Sequence, residues 1–248
     1  MLKVDLHNHT NFSFDGSMNP RQFAQAVREA GLDVVAVTDH GTRLGGLAVR
    51  ELDPPFRVII GCEIMTTHGE LIGLFLDSLT KDPPRDMDPV DAAKFIHDAG
   101  GVTYLPHPFL PYLGSRMRPE VLPRLASHLD IIEGLNARGS QAAHDRDAVL
   151  WALAHKILVG GGSDAHVASG VGNGFVLMDD FDGPVDLLAK LTTGTLVCRA
   201  REQTWRSGLN LAFGVTLGYR RIRKMKARID AGEPLRAAWD KTYTGVAG

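Results

Sequence analysis

Short apolar runs in this chain end repeatedly in histidine or a carboxylate. His7 and His9 close LKVDLHNH, Asp15 follows in FDG, His40 closes VVAVTDH, Glu63 follows VIIGC, His107 follows VTYLP, and Asp164 and His166 follow ILVGGGS. An α/β chain that ends its strands in imidazole and carboxylate groups gathers them at one rim, where such folds do chemistry. Few architectures accommodate that pattern.

The runs read as strands over Leu2–Leu6, Asp33–Val37, Arg57–Ile60, Leu71–Leu76, Val102–Leu105, Asp130–Ile132 and Ile157–Val159. Asp33–Val37 is nearly all apolar and β-branched, as expected of a strand covered on both faces. Helices are expected from Asn19-Pro20 to Gly31, from Pro89 to Ala99 and from about Gln141 to His155. Seven strands, most followed by a helix, favour a parallel α/β barrel over an open sheet, which would concentrate ligands at one switch point. Two loops stand out, Thr80–Pro89 as a surface crossing and Pro106–Pro119 as a cover for the pocket.

With 248 residues the chain fits one large domain, or about 200 residues plus an appendage. The expected division is residues 1–203 as the barrel and 204–248 as a helical appendage packed on it. In the appendage, Ile222, Met225 and Ile229 recur at helical spacing within the basic segment YRRIRKMKAR. A solvated basic face on a packing helix is favoured over a nucleic-acid contact. The formal net charge of -2 draws neither nucleic acid nor membrane. Cys62 and Cys198 lack metal-ligand spacing and are expected to be reduced thiols, although Cys62 precedes Glu63 directly. No signal peptide and no apolar run of about 20 residues is present, so a cytoplasmic protein without a membrane span is expected.

His7-x-His9 places both imidazoles on one side of an extended strand, so both can reach one metal. Asp164-x-His166 repeats the alternation. Asp39 beside His40 suits support of a ligand from behind. Glu63 is expensive to bury without a cation and, as a carboxylate, can bridge two. Imidazole and carboxylate oxygen suit zinc, manganese or iron. His97, His144 and His155 fall inside helices and His128 at a helix end, so they are expected outside the site. His68 sits in a hairpin-like turn expected to lead it away from the rim, and ligation by His68 or Glu70 stays open from the sequence. GGGSDAH and GVGNG match no nucleotide-binding loop, and Ser163 lacks the nucleophile elbow.

Taken in order, DLHNHTNFSFDGS, VAVTDHG, IGCEI, LPHP and GGSDAH resemble the polymerase and histidinol phosphatase (PHP) family of metal-dependent phosphoesterases, from Val4 to about Phe181. The resemblance implies a distorted TIM-like (β/α)7 barrel with two or three divalent ions at the strand carboxyl ends. His7, His9, Glu63 and Asp164 would hold one ion, Glu63 and His107 a second, and Asp15, His40 and His166 a third. Two departures stand out. Where many members carry a further histidine this chain has GELIGLF, with Glu70 near that place, and Asp15 stands where some have histidine, favouring a harder ion such as manganese or iron. The implied activity is hydrolysis of a phosphate ester by a metal-activated hydroxide. The expected partner is a small phosphorylated substrate, including nucleotides or short oligonucleotides. Arg116 and Arg138 are candidates for the phosphoryl oxygens and Asn136 for orienting substrate. Alternatives are a nuclease on short oligonucleotides, an amidohydrolase using the same metals, and a non-catalytic binding module.

Overall fold

The computed structural model describes residues 1–111, 115–138, 142–200 and 208–243. In chain order it contains β1 (Leu2–Asp5), α1 (Pro20–Ala30), β2 (Val34–Val37), α2 (Leu44–Arg50), β3 (Arg57–Ile60), β4 (Cys62–Thr66), β5 (Gly69–Leu74), α3 (Pro89–Asp98) and β6 (Val102–Leu105). There follow α4 (Leu122–Leu125), β7 (Ile131–Asn136), α5 (Ala142–His155), β8 (Leu158–Gly162), β9 (Gly174–Met178), α6 (Gly183–Leu191), β10 (Thr195–Cys198), α7 (Gly208–Asp230) and α8 (Leu235–Tyr243). α1 shows why local sequence suffices for some of these. Asn19 caps it with a reciprocal Gln22 bond, Pro20 fits its first turn, and Gly31 ends it at φ 64°.

The strands form two five-stranded sheets, ordered β10-β9-β1-β2-β3 and β4-β5-β6-β7-β8. Pairing is parallel for β1–β2, β2–β3, β6–β7 and β7–β8, and antiparallel for β1–β9, β9–β10, β4–β5 and β5–β6. The fold is therefore mixed α/β, and the strand ladders of the described residues close no barrel. The four antiparallel pairs correct the expectation that the strands all run parallel. The difference comes from β4, β9 and β10, which the apolar pattern did not single out. β4 resumes right after Gly61 and pairs with β5 as a hairpin, while β9 runs against β1 and β10 against β9. Backbone contacts join the sheets at two seams: Leu6 N donates to Gly161 O at 3.3 Å on one side, and Glu63 N of β4 to Thr38 O just past β2 at 3.2 Å on the other.

Between the sheets lies a core of Val4, Leu6, Ala36, Ile59, Ile72, Leu74, Tyr104, Ile131 and Val176. Val35 and Val37 point the other way and meet α1 and α2 through Phe23, Val27 and Val49, so β2 is buried on both faces as its composition implies. α3, α4 and α5 cover the outer face of the second sheet. A further cluster holds Phe12, Ala48, Met225, Ala238 and Trp239 and attaches α7 and α8 to the body. Met225 is buried, Ile222 and Ile229 are half-buried, and Arg220, Arg221, Arg223 and Lys224 are exposed, so α7 is a packing helix with a solvated basic face. The expected helix start at Gln141, the centre of the Pro106–Pro119 loop, the boundary at 203/204 and the last residues to Gly248 lie outside the described residues. No helix of the described chain is long and apolar enough to cross a membrane.

Candidate metal centre

One end of the two sheets collects the charged side chains. His7 and His9 leave β1, Asp39 and His40 leave β2, His107 leaves β6, Asn136 ends β7, and Asp164 and His166 follow β8. Glu63 enters from the start of β4, joined to His40 by a parallel bridge. β8 can deliver Asp164 because it approaches β1 closely: a Cβ on Gly162 would lie 2.5 Å from His7 Cβ. His107 and Asp164 take positive φ of 30° and 50°, sparsely populated for such residues and characteristic of functional sites.

At the centre, His7 Nε2 and His9 Nε2 lie 3.0 Å apart. Glu63 Oε2 is 3.5 Å from the first and 3.3 Å from the second; Asp164 Oδ1 is 3.6 and 3.4 Å from them. His107 Nε2 is 3.2 Å from Glu63 Oε1. An outer corner adjoins this inner group. His40 Nδ1 lies 3.2 Å from Glu63 Oε2, His40 Nε2 lies 3.5 Å from Asp15 Oδ1, and His166 Nε2 lies 3.1 Å from Asp15 Oδ2. Glu70 is drawn in as well, with Oε1 3.3 Å from His40 Nδ1. All eight ligand candidates read from the sequence thus meet in one place.

Hydrogen bonds behind the ring determine which nitrogen faces inward. His7 Nδ1 donates to Glu133 Oε1 at 3.0 Å, leaving Nε2 for the centre. His9 Nδ1 donates to Ser13 Oγ at 2.9 Å, and Ser13 Oγ donates to Asp39 Oδ1 at 2.7 Å. Asp39 therefore supports His9 through Ser13 as well as neighbouring His40. His166 Nδ1 donates to the Asp164 carbonyl at 2.9 Å, again leaving Nε2 inward. Asn136 Nδ2 donates to Glu133 Oε2 at 2.8 Å and to Asp164 Oδ2 at 3.2 Å. Its amide is buried against the Glu133 and Asp164 carboxylates and braces them.

The donor set fits divalent cations. Buried Glu63 Oε2, Glu70 Oε2, Asp15 Oδ1, His40 Nδ1 and His107 Nδ1 make no hydrogen bond, a costly state for buried polar atoms. Triads of His7, His9 and Glu63; His9, His40 and His166; His7, His107 and Asp164; and His40, Glu63 and Glu70 each bring one ligand atom per residue within 4.8 Å of one another. Without a cation, protons take its place. Burial opposes ionisation of Glu63, but His40 and His7 hold it well below the usual carboxylate range. Burial would also lower His40, yet Glu63, Asp15 and Glu70 raise it to about 10. His166 goes the other way, lowered to about 4 by burial, His9 and Arg138.

The remaining candidates separate clearly. Arg138 reaches the ring, with Nη1 3.1 Å from His166 Nε2 and 3.5 Å from Asp164 Oδ1. Among the described residues no hydrogen bond or ion pair connects Arg116 to the ring; its segment packs on the β4–β5 turn, where Glu70 N donates to Ser115 O at 2.9 Å. His68 pairs with its neighbour Thr67. His97 bonds Asp130 at 2.8 Å, His155 stacks on Trp151, and neither they nor His128 and His144 join the ring. Sequence reasoning missed Glu133 and Tyr104, whose hydroxyl donates to Glu133 Oε1 at 2.9 Å. A signal existed for Glu133: a carboxylate inside the apolar run IIEGL must find buried partners.

A family model for the PHP domain matches residues 5–150, more than half of the chain, and a PHP-associated model matches residues 143–196. The chain belongs to the PHP domain family. Two uncharacterized proteins of Methanocaldococcus jannaschii are relatives. One is 38% identical over 131 residues, 47% of this chain and 75% of the other; the second is 30% identical over 194 residues, 76% of each. Among solved structures, a two-domain protein from Bacteroides vulgatus containing a predicted PHP-like metal-dependent phosphoesterase shares the fold at TM-score 0.58 and 22% identity, over 71% of this chain and 58% of that one. An amidohydrolase from Chromobacterium violaceum does so at TM-score 0.57 and 17% identity, over 79% and 98%. A lesion-specific endonuclease from Pyrococcus furiosus does so at 0.58 and 16%, over 79% and 57%. The PHP fold thus carries more than one named activity, and the choice for this chain rests on its own site.

Proposed function

We propose that this PHP protein hydrolyses a phosphate ester, a phosphomonoester or nucleotide-like compound, using two or three divalent ions of zinc, manganese or iron. His7, His9, Glu63 and Asp164 would hold one ion, Glu63 and His107 a second, and Asp15, His40 and His166 a third. The observation that carries the reading is Arg138: a guanidinium touching Asp164 and His166 at the edge of an otherwise acidic and imidazole-rich ring. Such a planar fork suits phosphoryl oxygens that already face the ring. When bound, the ions supply a water of lowered pKa and neutralise charge on those oxygens. The chain's own residues do the rest. Glu133, Ser13 and Asp39 hold the ligand imidazoles in orientation, Arg138 draws the phosphoryl group to the rim, and Phe14 shields the outer corner by stacking on His40 at 4.8 Å. Water adds to phosphorus, the ester oxygen leaves as an alcohol with one proton, and inorganic phosphate or its monoester remains. The free thiols of Cys62 and Cys198 support a reducing compartment such as the cytoplasm.

The test is a screen of phosphomonoesters, phosphodiesters, oligonucleotides and amides with protein that is metal-loaded, chelated and reloaded, alongside Arg138→Ala. Phosphate release that chelation abolishes and metal restores, with Arg138→Ala slower at unchanged metal content, supports the reading. Cleavage of amides alone overturns it.

A further inference from the structure

We propose that Glu70 is a metal ligand, sharing one cation with Glu63 and His40 Nδ1, which takes His40 away from the third ion named above because a neutral imidazole has one free lone pair, and that it makes this corner take an oxygen-preferring ion such as manganese or ferrous iron in preference to zinc. The inference rests on the metal reading above.

The β4–β5 register pairs Met65 with Glu70 and Ile72 with Glu63. Residues 63 and 65 share a face of the hairpin, so Glu70 lies diagonally across from Glu63 and both carboxylates enter the same space. Glu70 is only 4% exposed. Its Oε1 lies 3.3 Å from His40 Nδ1 and its Oε2 3.9 Å from His107 Nε2. Three atoms aimed into this corner, His40 Nδ1, Glu63 Oε2 and Glu70 Oε2, are buried and make no hydrogen bond. His40 Nδ1 and Glu63 Oε2 approach to 3.2 Å without the angle of a hydrogen bond, and Glu70 Oε2 stands 3.9 Å from His107 Nε2, beyond hydrogen-bond distance. Two buried carboxylates directed at one point repel each other, and a single imidazole shared between them is poor compensation. A divalent cation satisfies all three at once. Donor type then sets its identity. This corner offers two carboxylates and one imidazole, whereas the inner group offers two imidazoles, His7 and His9, beside Glu63 and Asp164. Oxygen-rich sites favour harder ions.

The experiment loads metal-stripped wild type, Glu70→Gln and Glu70→His with equal manganese and zinc. Metal is counted by mass spectrometry, bound manganese is followed by paramagnetic resonance, and melting is recorded with and without chelator. Glu70→Gln is expected to hold one ion fewer while retaining the His7–His9 ion. In chelator it should melt no lower than wild type, because a repelling buried charge is gone. Glu70→His should keep the ion count but lower the manganese-to-zinc ratio by about tenfold or more, the scale of losses on disturbing even an indirect contact to a ligand. Unchanged ion count and ratio in both variants would overturn the proposal, as would a Glu70→Gln protein that melts lower in chelator yet keeps every ion. Wild type that binds no ion overturns the metal reading itself, a distinct result.

Discussion

The inner half of the ring (His7, His9, Asp164) and its outer corner (Asp15, His40, Glu70) are held in place by different means. Inside, each ligand has a hydrogen-bonded support: Glu133 behind His7, the Ser13–Asp39 pair behind His9, and Asn136 behind Asp164. Outside, Asp15 Oδ1, His40 Nδ1 and Glu70 Oε2 are buried without hydrogen bonds. Packing from the C-terminal helices takes over there. Phe14, next to Asp15, stacks between His40 at 4.8 Å and Tyr219 of α7 at 4.7 Å, and Gly218 sits so close that a Cβ would lie 2.1 Å from Phe14 O. Lys226 of α7 also pairs with Asp82 at 2.7 Å, which in turn accepts from Thr42 and Arg43 just past His40. The inner half is therefore oriented before any cation arrives, while the outer corner depends on the cation and on a helix nearly the whole chain away.

The largest effect is expected from the residue shared by both halves. Glu63→Gln should strip metal from the inner and outer groups together and lower turnover by more than about 100-fold, beyond the loss typical of indirect contacts. Full metal content in this variant would show that the two halves do not meet at Glu63. Next, Glu133→Gln and Asn136→Ala should each weaken inner-site metal affinity by roughly 10- to 100-fold. Titration with a competing chelator measures this, and wild-type affinity would mean that hydrogen-bonded support is not what orients the inner half.

Gly218→Val should cost about 1–3 kcal/mol by overpacking against Phe14 and selectively empty the outer corner. Melting curves with metal counting decide it; loss of the inner ion first would reverse the contrast between the halves.

Metal uptake should also displace protons. Burial lowers the His7, His9 and His107 pKa values, but Asp164, Glu133 and Glu63 raise them overall, and His40 is raised to about 10. Raised imidazoles favour the metal-free fold below their unfolded pKa, and that contribution fades as pH rises through the folded value. Ligation needs them neutral, so affinity should climb with pH across the neutral range. Calorimetry in buffers of different ionisation heat counts the protons released, and a count of zero is the contrary result. The smallest effect belongs to Arg124→Ala, which removes the exposed pair with Asp88: melting should barely shift and metal content should stay the same.

How much of this was readable in advance depends on the range of the interaction. The eight candidate ligands were apparent because apolar runs, His-x-His alternation and caps are local. α1 appeared for the same reason. Glu133 was overlooked because a carboxylate directly after the apolar pair Ile131-Ile132 reads as the end of a strand, whereas β7 continues to Asn136. Glu70 was undervalued because it enters from the amino end of β5, and only the antiparallel pairing with β6 brings that end to the same rim as the carboxyl ends of the parallel strands.

The sequence by itself determined the chemical type of the site, imidazole and carboxylate at recurring strand ends, since the donor atoms and their spacing are properties of neighbouring residues. Tertiary structure alone decided which strands pair and in which direction, and hence that parallel and antiparallel pairs mix in both sheets. It also decided which nitrogen of each imidazole faces inward, and that Phe14, Gly218 and Tyr219 meet over the outer corner. Those outcomes depend on register and contact between segments up to some two hundred residues apart, where burial and hydrogen-bond satisfaction of the whole fold outweigh local preference.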